Sequence, residues 1–271
     1  MSESESVPVD PSVSDAGPVG AERVLTVLVE LAKEPEGLSL DELTKRVGAA
    51  KPTVHRALGS LARLGLANRL ARGRYVLGDE FLRLAFLHQD RRPDRARVEP
   101  LLEALTATFG ETSHYAVLDG DDVVYRAKRD PAEGAVRLTS TVGGRNPAYR
   151  TGVGKMLLAW RFESFEEAEH WAASEPREQK TPTTLTAPRA LATALQEARE
   201  RGYATDDQES EPGVNCIALP VFLDSPQVPT GALSVSALAF RTPLGELTDA
   251  VERIRAIADE HHVRTRPETD G

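Results

Sequence analysis

Eight basic side chains, Lys45, Arg46, Lys51, Arg56, Arg63, Arg69, Arg72 and Arg74, fall within residues 43–78, and no Asp or Glu interrupts them. The whole chain has 42 acidic against 33 basic residues and a formal net charge of −9. A positive field confined to one stretch of an acidic protein suits binding to a polyanion such as nucleic acid. An uneven charge distribution over a solvated surface gives the same count, so the arrangement has to decide. Thr53, Arg56, Ser60 and Arg63 recur at i, i+3, i+7 and i+10, with Lys51 and His55 near the same end. On a helix these form one face of donors to phosphates and base edges, free of repelling carboxylates. His55 reads equally well as a solvent-facing spectator.

Three short helices are needed to hold that face. Val24, Val27, Leu28 and Leu31 have helical spacing over 20–33, and Pro35 and Gly37 end the helix. Ser39 with Glu42 three residues on is a capping box for a second helix, buried through Leu40, Leu43 and Val47 and closed by Gly48. Lys51-Pro52 starts the third, with proline at the first helical position and Val54, Ala57, Leu58, Leu61 and Leu64 as the inner face. The last two helices with their Gly48-Ala49-Ala50 turn form a helix-turn-helix. Residues 66–70 and 74–78 then pair as a short hairpin around Ala71-Arg72-Gly73, a wing whose Arg69, Arg72 and Arg74 reach phosphates or the minor groove.

Residues 79–89 place Phe81, Leu82, Leu84, Ala85 and Leu87 at amphipathic spacing before the charged break Asp90-Arg91-Arg92-Pro93. They read as a linker helix, or as a helix merely packing on its own domain. Beyond it the pattern is mixed: a helix over 98–109, and strands over 113–118 and 123–127 around the turn Asp119-Gly120-Asp121-Asp122. Helices follow over 152–160 and 188–201, then apolar strands over 216–223 and 231–240, and a closing helix over 244–261. The fold class is α+β.

Candidate catalytic motifs fail on spacing. Gly152-Val153-Gly154-Lys155 has Tyr149 and Met156 where a phosphate loop needs Gly and Ser or Thr. There is no Gly-x-Ser-x-Gly elbow, and His261-His262 lacks a Cys or acidic partner at metal-ligand spacing. Nothing in the sequence brings Cys216 to His114 as a thiol–imidazole pair. No catalytic residue, metal or cofactor is expected.

With 271 residues, 40% of them hydrophobic, the chain suits one large or two small domains. No apolar run approaches the roughly 18 residues of a membrane span. Residues 1–19, rich in Ser, Pro, Glu and Asp, read as a disordered leader rather than a signal peptide. A single cysteine, Cys216, excludes an intrachain disulfide and fits a reducing compartment, so a cytoplasmic location is expected.

On these residues the chain resembles the IclR family of bacterial transcriptional regulators, over about residues 20–264. The N-terminal marks are Arg23-Val24-Leu25, Leu40-Asp41-Glu42-Leu43, Lys51-Pro52-Thr53-Val54-His55-Arg56, Leu64-Gly65-Leu66 and Tyr75-Val76-Leu77-Gly78. The C-terminal marks are Asn146 to Lys155, Gly202 to Glu209 with Val214 to Ala218, and Leu233-Ser234-Val235-Ser236. The resemblance implies a winged helix-turn-helix (20–78), a linker helix (79–92), a GAF-like effector-binding and oligomerisation domain (93–264) and a flexible tail (265–271). It also implies that Asn146, Gly152, Val153, Asp206, Val214, Cys216, Ser234 and Ser236 face a small ligand. Free N–H groups at the helix start by Gly152 and Gly154, with two serines alternating onto one strand face, suit a carboxylate. Taken singly, Cys216 reads as a small buried residue, Asp206 as a turn cap, and the serines as bonded to backbone. Tyr149 and Arg150 depart from the family's frequent histidine and small residue. An arginine there either clamps a carboxylate in a bidentate pair, points outwards, or fills the pocket. The expectation is a ligand-responsive DNA-binding regulator, more often a repressor, sensing a small organic acid. It would act as a homodimer or dimer of dimers on a double-stranded operator, away from membranes. The alternative is an architectural DNA-binding protein whose C-terminal domain only oligomerises.

Overall fold

The computed structural model describes residues 20–90, 93–131 and 138–268. The leader over 1–19, the centre of the charged break at Arg91-Arg92 and the last three residues of the tail lie outside them. The chain divides between Arg91 and Arg92 into two compact units.

In the first unit, α1 (Ala21–Ala32), α2 (Leu40–Val47) and α3 (Lys51–Arg63) pack against a three-stranded antiparallel sheet. Its strands are β1 (Leu38–Ser39), β2 (Ala67–Arg69) and β3 (Arg74–Leu77), in the order β1-β3-β2. Val27, Leu31, Leu43, Val47, Val54, Leu58 and Leu61 fill the shared core. Both halves of the α2 capping box form. The Ser39 hydroxyl accepts the Glu42 N–H at 3.2 Å, and Glu42 Oε2 accepts the Ser39 N–H at 2.7 Å. Gly48 ends α2 at φ 65°. Two details differ from the sequence reading. Pro52 is the second residue of α3, and Leu64 is 66% exposed rather than buried. Leu64 caps the helix at ψ 2°, which swings it outwards, while the Leu66 N–H returns to the Leu61 carbonyl and Ala67 enters the core. A further helix, α4 (Asp79–Asp90), follows the wing.

The second unit is a six-stranded antiparallel sheet, in the order β6-β5-β4-β9-β8-β7, with helices on both faces. The strands are β4 (Thr112–Asp119), β5 (Asp122–Arg129), β6 (Arg145–Pro147), β7 (Ala204–Asp207), β8 (Val214–Val221) and β9 (Gly231–Leu238). Alternation sorts side chains between the faces. Tyr115, Val117, Ile217, Leu219, Leu233 and Val235 point to α5 (Pro93–Phe109), α9 (Leu244–Asp249) and α10 (Val251–Glu260). Ala116, Ala218 and Ala232 point to α6 (Gly152–Arg161), α7 (Phe165–Ser174) and α8 (Pro188–Arg201). One face is therefore built from large apolar residues and the other from small ones. A bulge at Arg126, between the pairs Tyr115–Ala127 and Ala116–Tyr125, reverses the parity of β5. Val123 and Tyr125 thus join the small-residue face, while Ala127 joins the other.

The sequence reading missed α7, although Ser164 accepts the Glu167 N–H at 3.2 Å, a cap of the kind recognised at Ser39. The single helix expected over 244–261 is two, because Ala250 takes φ −81° and ψ −3° and interrupts the ladder. Among the described residues no helix is long and apolar enough to cross a membrane.

Replacing Ser39 by Ala removes the hydroxyl that accepts the Glu42 N–H, so the first unit should lose about 1 kcal/mol. Denaturant unfolding followed by far-UV circular dichroism would register this as a lower midpoint at unchanged slope.

Candidate functional site

The cationic face forms on α3 and the wing, but the eight basic residues do not act alike. Arg46 is held by Glu34 at 2.7 Å and Glu30 at 3.6 Å, within the helical scaffold. Arg74 donates to the Glu36 carbonyl at 3.2 Å and to the Gly37 carbonyl, tying the wing to the α1–α2 connection. Its expected reach to phosphate is therefore corrected: Arg74 starts β3 directly after the wing turn, opposite Ser39 of β1, with its guanidinium occupied. Lys51 pairs with Asp41 at 2.6 Å, and Ser60 accepts from Arg63 at 3.0 Å, so Ser60 aims an arginine. Arg56, Arg63, Arg69 and Arg72 form no ion pair among the described residues, and all four are exposed, as is His55. Thr53 is half-buried. Arg69 rests over the Tyr75 ring at 5.8 Å, and Arg72 marks the wing tip at φ 64°. The acid-free surface is thus carried by these four arginines and the exposed Lys45, which also forms no ion pair among the described residues, rather than by all eight cations.

In the second unit a cavity of about 60 Å³ opens on the small-residue face of the sheet, under the start of α6. Asn146, Gly152, Val153, Asp206, Val214, Cys216, Ser234 and Ser236 all line it. Close packing makes Gly154 necessary and favours glycine at 152. A Cβ on Gly152 would lie 3.1 Å from Cys216 Sγ, and one on Gly154 would collide with the Ala148 carbonyl at 2.2 Å. Thr151 caps α6 by accepting the Gly154 N–H at 3.0 Å. The Gly154 N–H is therefore not free for an anion, and only Gly152 and Val153 present theirs at the helix start.

Arg150 is absent from the lining; its guanidinium donates to Glu178 Oε2 at 3.3 Å. The bidentate clamp is corrected accordingly, because a neighbouring carboxylate already holds that side chain.

The cavity's electrostatics follow from burial. Desolvation holds the His114 imidazole down at about 3, and Lys128 adds to the effect. The ring is neutral, with Nδ1 3.3 Å from the Ser234 hydroxyl and Nε2 2.8 Å from Ser140 Oγ. Lys128 donates to the carbonyls of Leu138 and Ser140 at 2.9 and 2.8 Å, which fixes residues 138–140 along the wall. Burial raises the Tyr125 hydroxyl to about 12, although its Asn146 partner opposes the rise. It pushes the Cys216 thiol up to about 12, with Asp206 contributing. Cys216 and His114 do share this cavity, yet a protonated thiol beside an imidazole that resists protons is the reverse of an activated nucleophile. Asp206 Oδ1 accepts the N–H groups of Glu209 at 2.7 Å and Ser210 at 3.4 Å, so it does cap a turn. Burial nonetheless lifts its carboxyl to about 7, against the pull of Lys155.

Sequence reasoning had not placed His114, Tyr125, Ser140, Thr151 or Glu211 at this wall. Thr151 was recoverable, because a threonine immediately before a helix start is a capping signal. His114 was not, since it meets Ser234 only through the β4–β9 register.

Residues 20–71 match the IclR helix-turn-helix domain, and residues 90–262 match the C-terminal domain of bacterial transcriptional regulator IclR. The chain is 32% identical over 237 residues to the HTH-type transcriptional regulator XynR of Escherichia coli K12, covering 86% of this chain and 92% of that protein. The IclR crystal structure of Thermotoga maritima aligns with a TM-score of 0.71 at 26% identity, over 89% of this chain and 96% of that one. An IclR homologue from Microbacterium hydrocarbonoxydans, solved with 4-hydroxybenzoate, shares the fold at a TM-score of 0.69 and 24% identity, over 88% and 99%.

His114 makes stability acid-sensitive. Between its folded value near 3 and the ordinary 6.5, the unfolded chain binds more protons, so stability falls as pH falls through that window. Asp206 runs oppositely, gaining stability as pH falls from about 7 towards 4, and is common to wild type and variant. From pH 7 to 5 the wild type should lose about 2 kcal/mol relative to His114→Gln, read from denaturant midpoints. Parallel pH profiles for the two proteins would contradict the neutral buried imidazole.

Proposed function

The chain belongs to the IclR family of bacterial transcriptional regulators, and we propose that it is a repressor released from its operator by a small organic acid. As a member it is a ligand-responsive DNA-binding regulator rather than an enzyme. The observation that carries the DNA-binding surface is the exposed, acid-free face of α3 with its wing. On this reading α3 enters the major groove. Arg56 and Thr53 face base edges, His55, Ser60 and Arg63 stand beside them, and Lys51, Arg69 and Arg72 neutralise phosphates. Two such units would occupy half-sites about 34–36 Å apart, or a multiple of it, on a near-palindromic operator.

Pairing of subunits through α4 is supported by its apolar surface. Leu82, Leu84, Phe86 and Leu87 are 47%, 46%, 60% and 43% exposed. A homodimer or dimer of dimers covers them. The C-terminal unit acts as a GAF-like sensor, with the cavity under α6 as its ligand site. The N–H groups of Gly152 and Val153, with Ser234 and Ser236, are the donors suited to a carboxylate. The volume of about 60 Å³ is far below that of drug-sized pockets, which favours an acid of few heavy atoms. The fold shared with a protein crystallised around 4-hydroxybenzoate supports the same class. The location proposed is the cytoplasm. Regulation requires the ligand to bind the two DNA-binding states unequally.

Arg56→Ala should weaken operator binding by about 1–3 kcal/mol, with lost sequence discrimination if the side chain reads a base. Between 50 and 200 mM salt, wild-type affinity should fall about 10³-fold if six or more phosphates are contacted. A flat salt response in fluorescence anisotropy contradicts the interface. Replacing Ser234 and Ser236 together by Ala should abolish release by acids while sparing operator affinity. Loss of both properties would indicate misfolding.

A further inference from the structure

The cavity has a charge problem for the ligand it is proposed to take. Asp206 and Glu211 line it, and among the described residues no lysine or arginine does. The nearby cations are committed elsewhere. Lys155 of α6 is ion-paired with Glu209, Arg150 with Glu178, and Lys128 with Asp130 at 3.0 Å. His114 of β4 is neutral, and Tyr125 of β5 and Cys216 of β8 both hold their protons. Among the described residues, an entering carboxylate therefore meets hydroxyls, two helix N–H groups and a buried carboxyl, with no unpaired cation. Two carboxylates confined in so small a space cannot both stay ionised.

Asp206 is built to yield. It lies on β7 opposite Cys216, almost wholly buried, and its Oδ1 is fixed by the two N–H groups of the following turn. Neither of those donors engages Oδ2, which is left to carry a proton. Lys155 favours the ionised form and Glu209 opposes it, while burial dominates and leaves the group divided between its two states near neutrality.

We propose that a carboxylate effector and one proton bind together, with Asp206 taking up the proton and donating its new O–H to a ligand oxygen. The proton comes from solvent and ends on Asp206 Oδ2. The ligand stays anionic, and the cavity's net charge rises by the proton and falls by the ligand. In its protonated state Asp206 favours acids over amines, because an ammonium ligand would require the ionised form. This rests on reading the cavity as the effector site.

The test is isothermal titration of the full-length protein with acetate, lactate and 4-hydroxybenzoate from pH 6 to 9. Each carboxyl group stays ionised across that range, and phosphate and Tris buffers report proton exchange through their different ionisation heats. Uptake should approach one proton per site above pH 7, where affinity should fall about tenfold per pH unit. Asn at position 206 mimics the protonated acid, keeping an oxygen for the two N–H groups and supplying an N–H donor. Asp206→Asn should remove the pH dependence and bind about 100-fold more tightly than wild type at pH 9. A pH-independent wild type without proton uptake overturns the proposal. So does a folded Asp206→Asn protein that binds at no pH, or a pH dependence abolished by Glu211→Gln instead. Binding of none of the acids at any pH removes the effector site itself, and the proposal with it.

Discussion

The start of α6 lies closer to the sheet than ordinary side chains allow, and the second unit is organised around that approach. Gly152 leaves room for Cys216 Sγ, and Gly154 for the Ala148 carbonyl, where any Cβ would intrude. The sheet answers with small residues on the same face, Ala116, Ala218 and Ala232, continuing into Cys216, Ser234 and Ser236. The shortage of bulk lets backbone N–H groups face a polar wall across a small space. The opposite face carries Tyr115, Leu219, Leu233 and Val235 and supplies the larger apolar core. Stability and binding are thereby assigned to different sides of one sheet, by a period of two along each strand.

The first unit separates its cations in a comparable way. Arg46 and Arg74 hold helices and wing together, and Lys51 shares its charge with Asp41. Four arginines remain outward-facing, three of them on or near the hairpin and the end of α3. A count of basic residues overstates the electrostatic footprint, because the same guanidinium that binds phosphate also satisfies backbone carbonyls at a loop.

Much of this was legible in the sequence, for local reasons. Ser39 with Glu42, Gly48 and Lys51-Pro52 punctuate the first unit through bonds spanning at most four residues. Eight positions suggested by family resemblance meet at one cavity. Other features depend on partners far along the chain. His114 meets Ser234 across 120 residues, Arg74 reaches back to Glu36 and Gly37, and Arg150 finds Glu178. Long side chains with several possible partners were read less well than glycines and caps, whose requirements are met by their immediate neighbours. Helix α7 carries an equally local signal, the Ser164 hydroxyl capping the Glu167 N–H.

The odd residue in β5 has a wider consequence. Because Arg126 is one residue more than the facing strand can match, β5 feeds one layer before it and the other after it, with its guanidinium anchored to Asp94 of α5. Deleting that residue would let Tyr125 and Ala127 follow one another in strict alternation, still opposite Ala116 and Tyr115, so each face would keep its side chains. What would be lost is the cation that ties the strand to Asp94. The extra length therefore serves the seam between β5 and α5, and the cavity wall tolerates its removal.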